Sequence, residues 1–278
     1  MTTPFLLHFE DGQAARAVRV DQPGELVAAL GGLGLPPPRP VVVVVGGAGG
    51  LGPADLDRFR PLFESGLIPV ITRLGAVAID GGTWSGVMRL FGEVRSDADL
   101  DFPLVGVAAV GTVTLPGAQA RQDDAAVLDP DHSHFLLVPG DEWGAEAGWI
   151  ARVATVLAGD TPSATVLING GEIAYSDVER SLAAGRSVLA VAGTGRTADD
   201  LAAALRGDPA DERAVALAES DLVQAVDADN PGRLARTLAA ALTEPTQGKS
   251  RPAGHRPEYR KPDPAECTDP DFDRIPKR

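Results

Sequence analysis

Cysteine is nearly absent: a single one, Cys267, stands in 278 residues. One thiol closes no internal disulfide, and with only four histidines it leaves few ligands for a structural zinc, so no metal is expected. Aromatic residues make up 5% of the chain, and its longest wholly apolar run is too short to cross a bilayer. The sequence does not open on a basic-then-apolar segment either, so neither a signal peptide nor membrane insertion is expected. Positive charge is scarce. Against 39 Asp+Glu there are 25 Lys+Arg, a formal net charge of −14, the opposite of the balance that binds nucleic acid through its phosphates. What remains, 44% hydrophobic with 32 glycines, is the composition of a soluble globular protein, expected in the cytoplasm.

Lysine is missing altogether before Lys249, beside 17 arginines over the same stretch, which fits a GC-rich genome better than any chemistry. All three lysines lie in residues 243–278 with seven prolines and almost nothing apolar. Such a segment buries too little surface to offset its ordering entropy, and it reads as a disordered tail behind a domain at residues 1–242. The tail is close to neutral, so the domain itself carries −15.

Within the domain, apolar runs alternate with helical patterns. Residues 5–9 and 17–20 flank Asp11-Gly12 and read as a hairpin, and residues 23–30 as a helix. Residues 41–45 are five consecutive valines, the signature of a strand buried on both faces. A glycine-rich turn follows, then Pro53 and a long helical stretch to about residue 74. Further strands are expected at 76–79, 105–110, 134–138, 164–168, 188–191 and 222–226. Helices are expected around 84–94, 146–157, 178–184, 197–205 and 233–242. Strand, glycine turn, helix, repeated about six times, predicts a Rossmann-like, doubly wound α/β fold in one domain: a mainly parallel sheet with helices on both faces. The crossover rule gathers the glycine turns at the carboxyl edge, where such folds bind ligands.

Three turns carry chemistry. Gly47-Ala-Gly49-Gly50-Leu-Gly52 fits G-x-G-x-x-G, where bare backbone N–H groups and a helix N-terminus receive phosphate. A dinucleotide site also needs a carboxylate for a ribose hydroxyl, and Asp80 is available, later than the usual spacing of about 20 residues. The same glycines also serve as plain tight turns, so an NAD(P)-dependent enzyme is a third option here. Asp80-Gly-Gly82-Thr83-Trp-Ser85 sets hydroxyls at a helix start, as ligand contacts or as simple caps. Gly193-Thr-Gly195-Arg196 brings the one arginine found in these turns, either a surface ion-pair partner or a planar fork for phosphate. His132 and His134 precede a strand and so belong at its amino end, where they are expected to bond backbone.

Four blocks in order, Asp80-Gly-Gly-Thr-Trp-Ser-Gly-Val-Met88, Leu128-Asp-Pro-Asp-His-Ser-His-Phe-Leu-Leu-Val-Pro-Gly140, Gly170-Gly171 and Gly193-Thr-Gly-Arg-Thr-Ala-Asp199, resemble the LSDAT branch of the SLOG superfamily. That branch is the Rossmann-like domain at the N-terminus of melastatin-type TRP channels and in stand-alone prokaryotic relatives. The resemblance implies a sensor of a nucleotide-derived anion, of the ADP-ribose or cyclic ADP-ribose type, with no cofactor and no catalysis of its own. A homo-oligomer and an effector partner stay open. The ligand contacts are then expected at Gly47, Gly49, Asp80, Gly82, Thr83, Ser85, Gly140, Gly171, Gly195 and Arg196. A sister branch, the Lonely Guy phosphoribohydrolases, offers the enzymatic alternative. Pro139-Gly140-Asp-Glu-Trp-Gly144-Ala-Glu146 is similar to their P-G-G-x-G-T-x-x-E loop but lacks its second glycine and its threonine. In that reading Glu146 is the carboxylate beside the anomeric carbon; otherwise it simply suits the start of a helix.

Overall fold

The computed structural model describes residues 3–243. The expected tail, with Cys267, therefore lies outside the described residues, save for Thr243 at the end of the last helix. The chain opens with a hairpin, β1 (Phe5–His8) and β2 (Ala14–Arg19), turning at Asp11-Gly12, and α1 (Leu26–Leu33) ends at Gly34 in the left-handed conformation. The valine run is β3 (Val41–Gly46), buried along its length as its composition requires. Its side chains alternate between layers: Val41, Val43 and Val45 join one core, Val42 and Val44 the other. Each buried valine contributes roughly 1.5 kcal/mol or more, so this strand ties both layers together.

The helix expected over residues 53–74 is interrupted. It runs as α2 (Pro53–Pro61), a wider π-type segment at Leu62–Leu67, and α3 (Ile68–Leu74). Pro61 and Pro69 lack the N–H that the regular ladder uses. Then come β4 (Val77–Asp80), α4 (Gly86–Asp97) and β5 (Leu104–Ala109). No helix follows β5; a long connection carries the short pair β6 (Val113–Thr114) and β7 (Ala126–Val127) before β8 (His134–Val138). The second half is α5 (Ala147–Ala158), β9 (Ser163–Ile168), α6 (Glu172–Ala183), β10 (Ser187–Ala192), α7 (Arg196–Arg206), α8 (Glu212–Ala218), β11 (Val223–Asp227) and α9 (Pro231–Thr243). The helix expected near 178 in fact starts right after Gly171, and α8 was not anticipated.

Nine strands form one sheet in the order β1-β2-β8-β5-β4-β3-β9-β10-β11, parallel throughout except for the β1–β2 hairpin. This is a single doubly wound α/β domain. From β3 the chain moves one way through β4, β5 and β8, and from β9 it moves the other way. The reversal lies between β3 and β9, the crevice where such sheets bind ligands. A second feature shapes that edge. Val43 is level with Ile79, and Ile79 with Val105, so β4 stops at Asp80 while β3 continues to Gly46 and β5 to Ala109. A notch opens in the carboxyl edge, floored by the end of β4.

Candidate ligand-binding site

The notch and the reversal point merge into one cavity of ≈ 530 Å³, within the usual range of small-molecule pockets. Val45 and Gly46 line it from one side, Ala108 and Ala109 from the other, and Trp143 adds an indole wall. The first glycine turn forms one end. It is seated on α4: Val87 N donates to the Gly47 carbonyl at 3.2 Å, and Gly86, at φ 51°, presses so close to that carbonyl that a side chain there would overlap it. Arg196 crosses this end. Its Nη1 donates to the Gly49 carbonyl at 3.2 Å, and its guanidinium covers Gly171, the residue before α6. One cation thus joins the turn after β3 to the turn after β9. Asn169 secures the third turn, accepting nothing at Oδ1 but donating from N and Nδ2 to Thr194 at 2.7 Å each. Among the described lining residues Arg196 is the one cationic side chain; Arg58 of α2 reaches the Gly193 carbonyl nearby without lining the cavity.

Three carboxylates line the cavity: Glu172, next to Gly171 near Arg196 and paired with Arg213 at 2.7 Å, and two more beyond it. Glu146, just before α5, and Asp177, on α6, both line the cavity. Burial raises the pKa of Glu146 against the pull of backbone donors, among them Gly144 N at 3.1 Å. Burial, then the charge of Glu146, push Asp177 up to about 7, with Arg180 opposing. Sequence reasoning passed over Asp177. Its signal was available: a carboxylate on the face of α6 that carries the buried Ala174, Tyr175, Val178 and Ser181.

Of the sequence-predicted contacts, Gly47, Gly49, Thr83, Gly171 and Arg196 line the cavity, and so does Glu146. Five others do not. Ser85 points its hydroxyl at Thr83, Oγ to Oγ1 2.8 Å. Gly140 folds against Ala145 and accepts from Gly111 N at 2.8 Å. Gly195 lies beside the Asn169 amide. Gly82, at φ 68°, packs its α-carbon onto Gly106. Asp80 is fully buried, and its Oδ1 bonds Gly82 N at 2.7 Å and His132 Nε2 at 2.8 Å.

That last contact corrects the reading of the histidines. His134 does bond backbone, at Leu33, and burial lowers its pKa to about 4. His132 instead lies between two carboxylates, Asp80 and Asp129 (Nδ1 to Oδ2 3.1 Å), all three fully buried, with its ring stacked on Phe135. Burial alone would deprotonate it, but the flanking carboxylates overcome that and hold it up to about 10. The short β4 causes this: Asp80 ends its strand level with Gly106, hence with Phe135 at the start of β8. The charged triad fixes the turn above it, where Asp129 N bonds the Gly82 carbonyl at 3.0 Å and Thr83 bridges to Leu128.

The family model described as SLOG in TRPM, prokaryote (LSDAT_prok), matches residues 39–236. The chain belongs to this family. The match takes in every element of the cavity and leaves out the β1–β2 hairpin and α1. Transient receptor potential cation channel subfamily M member 2 from Rattus norvegicus and from Mus musculus are each 27% identical to this LSDAT domain over 204 residues, 61% of this chain and 13% of the channel. The member-like 2 protein of Nematostella vectensis is 33% identical over 141 residues, 42% of this chain and 9% of the channel. The chain thus spans 13% or less of the length of these three channels. Among its described residues no helix is long and apolar enough to cross a membrane, and no three His, Cys, Asp or Glu are grouped to hold a metal.

Proposed function

We propose that this LSDAT domain is a cytoplasmic sensor that binds, without cleaving, a nucleotide-derived anion of the ADP-ribose type. The phosphates lie on the glycine turns and Arg196, and the rest of the ligand fills the notch. The observation that carries this reading is Arg196, a guanidinium bridging two glycine turns at the sheet's reversal point in a protein of strongly negative charge. General repulsion of an anion must be offset locally, and a planar fork suits phosphate. Calorimetric titration of the full chain with ADP-ribose tests it. Arg196→Ala is expected to lose ten- to a hundredfold in affinity, the worth of a hydrogen bond to a charged group, about 1.5–3 kcal/mol. Unchanged affinity in a folded Arg196→Ala variant removes the assignment.

A second reading, N-glycoside hydrolysis, is favoured by one observation: Glu146 and Asp177 place two carboxyls with raised pKa in the cavity, and glycosidic cleavage uses such a pair. Against it, Gly140 and Asp141 of the incomplete loop do not reach the cavity. Chromatography of AMP and ADP-ribose after incubation decides: free base supports hydrolysis, and intact nucleotide supports binding alone. The NAD(P) reading loses its ribose carboxylate, since Asp80 is fully buried beneath the edge and does not line the cavity.

A further inference from the structure

We propose that Asp177 is the acceptor for the vicinal hydroxyls of a ribose, so that the cavity takes a ribonucleoside diphosphate and rejects its 2′,3′-dideoxy counterpart. This rests on the reading of the glycine turns and Arg196 as the phosphate end.

Asp177 lines the cavity, yet its Oδ1 is buried with no hydrogen-bond partner. Buried acceptors are almost always paired in folded proteins, and an exception on a residue that lines a cavity marks a place for a donor from outside. The position along α6 supplies the distance. Asp177 lies six residues beyond Gly171 on one helix, which at ~1.5 Å per residue sets it roughly 9 Å from the helix N-terminus. The phosphate would thus be met at the N-terminus of α6, and the sugar attached to it less than two turns further along the same helix. Glu146 completes the chemistry. It lines the same cavity from the start of α5, and its charge raises the proton affinity of Asp177, so Asp177 does not ionise beside it at no cost while the cavity is empty. Two adjacent hydroxyls are two donors for these acceptors and favour the ionised form. A metal ion would also suit a carboxyl pair, but among the described residues no third ligand is grouped with it.

The test is calorimetric titration of the full chain with ADP and with 2′,3′-dideoxy-ADP. The wild type is expected to prefer ADP by tenfold or more, as for hydrogen bonds to an ionised group. Asp177→Asn, whose amide oxygen still accepts from a hydroxyl but carries no charge, is expected to cut that preference to a few-fold or less, with dideoxy-ADP bound at the wild-type level. Equal wild-type affinities overturn the proposal, and they do so whether or not the variant folds. So does an Asp177→Asn variant that keeps the preference, or one that weakens both nucleotides equally, which would place the carboxyl on the base or in the scaffold. Arg196→Ala separates the underlying reading: it is expected to weaken both nucleotides by one factor. If it changes neither, the phosphate assignment fails, while the ADP-to-dideoxy-ADP ratio still judges Asp177. No binding of either nucleotide overturns both.

Discussion

Replacing His132 by Gln tests what holds the floor of the cavity. The imidazole is buried between Asp80 and Asp129 at 2.8 and 3.1 Å. Its loss leaves two buried carboxylates facing each other without a cation, and removing one partner of a buried ion pair costs about 3–5 kcal/mol. The pH dependence gives a sharper magnitude. His132 keeps its proton up to about 10 in the folded chain and releases it near 6.5 when unfolded. Between those values the native state binds more protons than the unfolded state, so stability falls as pH rises. The contribution is complete below about 6.5, disappears by about 10, and is on the order of 5 kcal/mol over that window. Set against a typical total of about 5–15 kcal/mol, that is a large share. Urea denaturation at intervals from pH 6 to 10 reads it. The wild-type midpoint is expected to drop steadily from pH 8 to 10, while His132→Gln starts lower and stays flat over that range, both with the same dependence on denaturant; the fall that Asp177 causes through about pH 7 is common to the two. A wild-type midpoint constant from pH 8 to 10, or a variant as stable as wild type at pH 7, would show that the triad carries no net proton and refute the reasoning. Ligand affinity should fall with it, because Asp129 pins the Gly82 turn that carries Thr83 into the cavity wall.

Arg196→Lys is expected to recover only part of the ADP-ribose affinity lost in Arg196→Ala, because an ammonium cannot hold two phosphate oxygens in one plane; full recovery in the same titrations would mean that charge alone matters. Gly171→Ala is expected to fold normally yet bind weakly: a methyl group there meets the movable end of Arg196 rather than backbone, so a melting curve should hold while affinity falls several-fold. A chain stopped after residue 243 should melt as the full chain does, on compositional grounds. A chain stopped before Pro231 should lose several kcal/mol of stability, since Leu234, Leu238 and Leu242 of α9 are buried in the core and each contributes about 1.5–3 kcal/mol.

The doubly wound fold was legible because its signals are local. A five-valine run must be covered on both faces, and glycine turns after apolar strands put one edge in common. Family membership was legible for the same reason, in four short blocks that all lie within the match over residues 39–236. Arg196, Thr83, Gly47, Gly49 and Gly171 came from that reasoning, and the structure gathers them in one cavity. What sequence could not give is register. Whether a residue just past a strand faces the ligand edge depends on how far that strand reaches beside its neighbours. Asp80 ends a strand that stops short, so the carboxylate expected at the edge lies beneath it, bound to His132, a residue expected to be structural and to bond backbone. Asp177 is the converse case. Six residues into a helix, it belongs to no turn motif, and only the packing of α5 against α6 brings it to the cavity facing Glu146. Local pattern determined which turns exist; strand length and helix packing, which are long-range, decided which side chains a ligand would meet.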